Sequence, residues 1–167
     1  GEIKSIFQYG TMLLTGEGIQ IDYKEAARYF KLGVDNGDVN SMKTYATMLL
    51  NGHGVPQNKE EAAKYFKITA DKGHSDSMFF YSMICRSREN SPESKLESIY
   101  YLKKAADLGN ENSLYTYATI LFNGDGVEVN KKDAAYYFKL SADKGDPDSM
   151  FNYGSMLLNG DGIPVNK

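Results

Sequence analysis

SMKTYATMLLNGHGVPQNKEEAAKYFKITADKG, residues 41 to 73, holds in one stretch the pattern that the rest of the chain repeats. In its first ten residues apolar side chains recur at three- and four-residue spacing, the signature of a helix with one buried face. EEAAKYFKITADKG shows the same period, and Gly52-His53-Gly54 lies between the two. Tyr9, Tyr45, Tyr81, Tyr117 and Tyr153 stand 36 residues apart, as do Gly1, Gly37, Gly73, Gly109 and Gly145. The register is unbroken, so the helix-turn-helix unit recurs along the whole chain. The glycine loop returns as LLTGEGI at 13 to 19, LFNGDGV at 121 to 127 and LLNGDGI at 157 to 163, while CRSRENS at 85 to 91 takes its place in the third unit.

Start and stop signals fall in matching columns. Second helices are expected to begin at Asp22, Asn58, Ser94 and Asn130, each followed three residues later by Glu25, Glu61, Glu97 or Asp133. Such a pair satisfies first-turn amides that otherwise lack partners, and each cap contributes about 1 kcal/mol. Gly37, Gly73, Gly109 and Gly145 end those helices, because a residue without Cβ takes the left-handed conformation freely. First helices restart two or three residues on, as at Asp146-Pro147. The Gly-x-Gly loops lack the third glycine and preceding strand of a dinucleotide site and the Lys-Ser/Thr of a phosphate loop. Counting back from Gly126 as the sixth position of a calcium loop puts Leu121 where an acid is required. The glycines are read as turns.

Tyr-Ala/Gly-x-Met-Leu, Gly-x-Gly-Val/Ile, Ala-Ala-x-Tyr-Phe-Lys and Ala-Asp-x-Gly at this period resemble the Sel-one-like repeat family (SLR), relatives of the tetratricopeptide repeats. The resemblance implies an all-α, right-handed α/α superhelix, or solenoid, of about nine helices whose first helices line a concave surface. It also implies an adaptor or scaffold function, although a fold alone does not fix an activity. Residues 1–167 read as one array with repeats near 1–36, 37–72, 73–108, 109–144 and a partial 145–167. Some secreted relatives staple each repeat with a cysteine pair; the lone Cys85 disfavours that branch. In the third unit Arg88 and Asn90 replace loop glycines and Ser98-Ile99 replaces Ala-Ala, so a kink is expected there. The chain starts at a column glycine and stops at Asn166-Lys167, where another second helix is due, which reads as a segment of a longer protein. Continuation of the array, or neighbouring subunits, is expected at both ends.

Composition narrows the function classes. Lys and Arg number 19 against 22 Asp and Glu, a net charge of −3 that lacks the basic bias of a nucleic-acid binder. No apolar run approaches the roughly 20 residues that span a bilayer, so no membrane insertion is expected. A single cysteine fits a reducing compartment, and the expected location is cytoplasmic.

On a helical wheel Ser41, Met42, Tyr45, Ala46, Met48 and Leu49 form the buried arc of a first helix, with Asn40, Thr44, Thr47 and Asn51 opposite. The same outer columns hold Gln8, Thr11 and Thr15, then Thr116, Thr119 and Asn123, then Asn152, Ser155 and Asn159. This is an uncharged, hydrogen-bonding ladder. In the third unit it is interrupted by Asp76, Phe80, Met83 and Ser87, with Phe79 and Arg86 alongside. Two readings stand: an exposed patch with the composition of a binding hot spot, or a helix rotated or covered so that Phe80 and Met83 join the core. The candidate partner-binding residues are therefore Phe79, Phe80, Met83, Arg86, Thr44, Thr47, Thr116, Thr119 and Asn152. Gly10, Ala46, Ser82, Ala118 and Gly154 share a column suited to close helix packing. Phe7, Phe79, Tyr115 and Phe151 form an aromatic stripe, and Tyr29, Tyr65, Tyr101 and Tyr137 are read as wedges between helices. Lys24, Arg28, Lys64, Lys131 and Lys132 fit a solvated outer face.

Catalysis requires converging groups, and none converge in the sequence. His53 sits in a turn, His74 opens a helix, and Cys85 occupies a leucine column as a buried thiol. No metal-ligand spacing occurs, and no cofactor is expected. The reading is a non-enzymatic scaffold presenting a concave helical surface to a peptide or protein partner. The alternative is a structural component built stably into a larger assembly.

Overall fold

The computed structural model describes residues 2–87 and 91–163, and those residues form nine helices and no strand. Arg88, Asn90, Asn166 and Lys167, singled out above, lie outside the described residues. The chain divides into two compact units, Gly1–Gly73 and His74–Lys167.

In the first unit α1 (Glu2–Thr15) pairs with α2 (Tyr23–Asp35) and α3 (Val39–Asn51) with α4 (Lys59–Asp71). The expected caps form. Asp22 accepts from the Glu25 amide and Asn58 from the Glu61 amide, and Asp38 does the same for Ser41 at the start of α3. Gly37 and Gly73 take φ of 77° and 95° just past α2 and α4. Phe30 and Phe66 are 0% and 1% exposed, and Phe30 seats on Gly10 in the small-residue column of the preceding helix. A Cβ on Gly10 would sit 3.1 Å from the Phe30 ring, so the small residue and the large ring are one fitted contact. Tyr9 meets Tyr29 and Tyr45 meets Tyr65 edge to face, with centroids 4.8 and 5.8 Å apart, as expected of wedges between helices.

The second unit holds α5 (Ser75–Ser87), α6 (Pro92–Asp107), α7 (Glu111–Asn123), α8 (Lys131–Asp143) and α9 (Pro147–Asn159). The same devices recur: Asn130 caps α8 and Asp146 caps α9 with Pro147 at the first helical position. Tyr81 pairs with Tyr101 and Tyr117 with Tyr137. Leu102 and Phe138 fill the places that Phe30 and Phe66 take in the first unit.

One boundary differs from the sequence reading. Ser94 does not cap α6; Ser91 does, accepting from the Ser94 amide, and the helix starts three residues earlier at Pro92. Proline at the first helical position has its φ already set and lacks an amide that would have gone unpaired, so Ser91-Pro92 is a stronger start than Ser94. The helix thereby gains nearly a turn, reaching 16 residues against 13 for α4.

The glycine loops turn as expected, with positive φ at all eight loop glycines. Their second glycine has another role that the sequence reading missed. A Cβ on Gly54 would collide with the backbone carbonyl of Tyr23, and one on Gly162 with the backbone of Lys131. Each loop thus lies against the first turn of the preceding repeat's second helix, at a distance only glycine permits. His53 between the two glycines stacks on the Tyr23 ring, 5.6 Å between centroids.

Two outcomes check this account. Gly52→Ala costs about 1–2 kcal/mol from its left-handed backbone alone, and Gly54→Ala costs clearly more because the neighbouring backbone must also move; urea unfolding measures both. Ser91→Ala destabilises by about 1 kcal/mol, whereas Ser94→Ala has a smaller effect in the same experiment.

Candidate functional site

The residues proposed from sequence are placed in two groups. Thr44 and Thr47 lie on α3 in the first unit, and both are half-buried. The others lie on α5, α7 and α9 of the second unit.

On α5, Tyr81, Ser82, Ile84 and Cys85 face inward, and Cys85 is 1% exposed. That orientation leaves Phe80 half-buried and Met83 41% exposed. Phe79, half-buried, meets Phe80 edge to face at 5.6 Å. The full-core reading therefore does not describe Met83, whose thioether reaches solvent beside the Phe79–Phe80 pair. Arg86 is not an open flank of this patch: it forms an ion pair with Asp125 in the loop after α7.

Phe79 also lines a cavity of about 340 Å³ with Glu111, Asn112, Tyr115 and Thr116 of α7 and with Ser141, Lys144, Gly145 and Asp146. Its two walls are held in register by Asn110. The Asn110 Oδ1 accepts from the Ser113 amide at 3.0 Å and hydroxyl at 2.8 Å, while its Nδ2 donates to Asp76 Oδ1 at 2.7 Å. A cap residue of one repeat thus fixes the first turn of the repeat before it. Asn152, half-buried on α9, belongs to a separate pocket of about 80 Å³ with Phe122, Phe138 and Asp161.

The polar ladder is less available than its composition suggests. Thr44 donates its hydroxyl proton to the Asn40 carbonyl, Thr47 to Lys43, Thr116 to Asn112 and Thr119 to Tyr115. These threonines bond back four residues along their own helix, which leaves them acceptors toward a partner and not donors. Thr116 and Thr119 are also half-buried, as are Thr44 and Thr47.

Burial first, and then hydrogen bonding to Cys85 and Glu97, raises the pKa of Tyr81 far above the ordinary phenol value. Burial followed by the Asp107 hydrogen bond does the same for Tyr137, and burial also raises Tyr117. These phenols stay protonated near neutral pH and act as hydrogen-bond donors: Tyr81 to Glu97 at 3.0 Å and Tyr137 to Asp107 at 2.5 Å. Among the described residues no group of three or more His, Cys, Asp or Glu is placed to hold a metal ion. Among the same residues no helix is long and apolar enough to cross a membrane.

The repeat geometry has a counterpart among known proteins. The Sel1 repeat matches residues 3–38, 44–74, 75–110, 112–146 and 147–167. The chain belongs to the Sel1 repeat family. No curated protein matches it. Among solved structures, a Sel1 repeat protein from Oxalobacter formigenes is similar at a TM-score of 0.85 and 22% identity, over 98% of this chain and 67% of that one. A protective antigen of uropathogenic Escherichia coli strains that displays an SLR fold is similar at a TM-score of 0.82 and 22% identity. That match covers 99% of this chain and 43% of the antigen. At such identities the likeness establishes the fold, in agreement with the Sel-one-like reading of the repeat columns.

Asn110→Ala removes both a cap and the tie to Asp76, and its expected cost is about 1–2 kcal/mol. Thr116→Val keeps the side-chain shape and removes only a hydroxyl already committed to its own helix. Its effect is expected within about 0.5 kcal/mol, and parallel urea titrations of the two variants test the difference.

Proposed function

We propose that this Sel1 repeat chain is a non-enzymatic protein-interaction scaffold, and that the first-helix faces of its second unit dock a peptide or protein partner. Repeats of this family generally serve as protein–protein interaction scaffolds. The supporting observation is the 41% exposure of Met83 beside the Phe79–Phe80 pair, where the columns of Phe80 and Met83 elsewhere carry only Gln, Thr, Asn and Ser. A flexible thioether next to two aromatic rings adapts to an apolar partner side chain, and a few such residues dominate binding energy. The cavity beyond Phe79, with Asn112, Tyr115 and Thr116, extends that patch with polar contacts. The concave presentation implied by the repeat and a cytoplasmic location belong to this proposal. With no second cysteine in the sequence an internal disulfide cannot form, which supports the location.

A specific observation also favours the structural alternative. On α9, Met150, Phe151 and Leu158 are 50%, 74% and 84% exposed, whereas Leu114, at the position of Met150, is 0% exposed beneath α8. A face of this kind is suited to permanent coverage by a neighbouring helix, whether of a longer array or of another subunit.

The test is native capture of partners from cell lysate with mass spectrometry, comparing wild type with a Phe80→Ala, Met83→Ala double variant. The expected outcome is loss of about tenfold or more in affinity for the captured partner, with an unchanged circular dichroism spectrum. Retention of full affinity by a folded double variant rejects this placement.

A further inference from the structure

The second helices carry an unpartnered surface of their own. At the outward positions of α2 and α4 the chain places Lys24 and Arg28, then Glu60, Lys64 and Lys72, all exposed. Those are side chains that water solvates well. At the same repeat positions α6 carries Leu96, Tyr100 and Leu108, which are 63%, 53% and 60% exposed. Tyr136, in the column of Tyr100, is 58% exposed on α8. The repeat is its own control: three columns that hold solvated side chains in the first unit carry large apolar groups here. Tyr100 and Tyr136 touch the buried Tyr101 and Tyr137 edge to face, yet all four residues stay more than half exposed.

Leu96, Tyr100 and Leu108 fall on one line at four-residue multiples along α6, with Lys104 completing the series. The Tyr137 hydroxyl donates to Asp107 Oδ1 at 2.5 Å, which ties α8, the helix that carries Tyr136, to the end of α6. The four apolar groups expose on the order of 400 Å², the size of patches that are usually functional and short of the roughly 800 Å² per partner of a stable dimer. A second copy of this chain is therefore a poorer occupant than a short segment.

The charges around the patch specify that segment. Lys104 lies over the Tyr100 ring at 4.6 Å, and Lys132 is exposed in the first turn of α8. Among the carboxylates of these helices Asp107 pairs with Lys103 and Asp143 with Lys139, whereas Asp133 bonds the neutral Asn130 amide and Glu97 the neutral Tyr81 phenol, so both keep their charge. Glu93, in the first turn of α6, adds a further negative charge. Across α6 and α8 six lysines face five carboxylates, and Lys104 at the Tyr100 ring sets a cation beside the apolar line, which favours an acidic partner.

We propose that the outer face of α6 and α8 binds an acidic amphipathic helix of a partner protein, with its apolar side on Leu96, Tyr100, Leu108 and Tyr136 and its carboxylates toward Lys104 and Lys132. The mode is a helix laid across two parallel helices and read by anchors one turn apart. It differs from the docking on α5 and α7 proposed above in residues, helix set and charge.

The experiment is fluorescence anisotropy with a fluorescein-labelled 16-residue peptide of Leu, Glu and Ala, its leucines at three- and four-residue spacing. Saturable binding is expected, weakened about tenfold or more by Tyr100→Ser with Leu108→Ser and severalfold by Lys132→Glu alone. The same peptide with Lys in place of Glu is expected to bind far more weakly. Phe80→Ala with Met83→Ala is expected to leave the titration unchanged, so failure here is distinct from failure of the α5 placement. Absence of saturation, equal binding by the Lys peptide, or wild-type affinity in both α6/α8 variants overturns the proposal. So does a concentration-dependent dimer in sedimentation equilibrium that the Tyr100→Ser, Leu108→Ser change abolishes, since the occupant is then a second copy.

Discussion

Each hairpin depends on one contact, a large side chain of the second helix seated on a small residue of the first. Phe30 over Gly10 shows why the pairing is strict, because even a methyl group would press on the ring at 3.1 Å. Phe66, Leu102 and Phe138 take the equivalent places, and Ala46, Ser82 and Ala118 are all at most 1% exposed. Burying such a side chain contributes roughly 1.5–3 kcal/mol, and the contact also sets how closely the helix axes approach. The tyrosine pairs at 4.8 to 5.8 Å then fix the helices in rotation. With approach and rotation both set, the outward columns of each helix are free to change without disturbing the core. The surfaces in the second unit depend on that freedom.

The loops extend the constraint from hairpin to hairpin. Gly54 and Gly162 bring the turn of one repeat onto the backbone of the second helix before it. Asn110 bonds Asp76, and Lys131 bonds Asp161 at 2.5 Å, across neighbouring repeats. The third unit, whose loop lacks the glycine pattern, meets its successor differently. Arg86 pairs with Asp125, and Gly126 lies against the Ile99 side chain, where a Cβ would be 3.1 Å from Cδ1. Ser98-Ile99 in place of Ala-Ala and the early start of α6 are parts of one local rearrangement. A longer second helix follows a loop of different composition, and apolar residues appear on both α5 and α6.

Most of the fold was legible because its determinants are local. A cap needs an acceptor three residues from an amide, and a helix stop needs a glycine; both are read directly from columns such as Asn58–Glu61 and Gly73. Ser94 misled because its column partner Glu97 completes the pattern equally well. The deciding feature, Pro92 behind Ser91, lies outside the column comparison. The Gly54 approach to Tyr23 was illegible for another reason: it joins residues 31 apart, and a turn already explains the glycine. The candidate site was legible only in composition. Sequence placed Phe80 and Met83 on an outward ridge, but whether the thioether reaches solvent depends on the rotation of α5. Likewise Thr116 and Thr119 were recognisable as polar, whereas the direction of their hydroxyl protons is a property of the folded helix. Leu96, Tyr100 and Leu108 escaped notice because attention to charged second-helix residues treats the apolar ones as core by default.

Exposure becomes informative once core demand is known column by column. An isolated exposed leucine on a globular protein means little, since more than half of an ordinary surface is apolar. In a repeat the same column is sampled several times, and the packing requirement is read from the copies. Leu32 and Ile68 are 45% and 43% exposed at one position of α2 and α4, so partial exposure of an aliphatic residue there is a feature of the repeat. Tyr100 and Tyr136 replace Arg28 and Lys64, and Leu108 replaces Asn36 and Lys72; the edge contacts of the two tyrosines with Tyr101 and Tyr137 still leave each more than half exposed. Aromatic and aliphatic groups exchanged for solvated ones carry a cost in water unless something covers them. That comparison separates the α6 face from the ordinary apolar scatter of the rest of the surface.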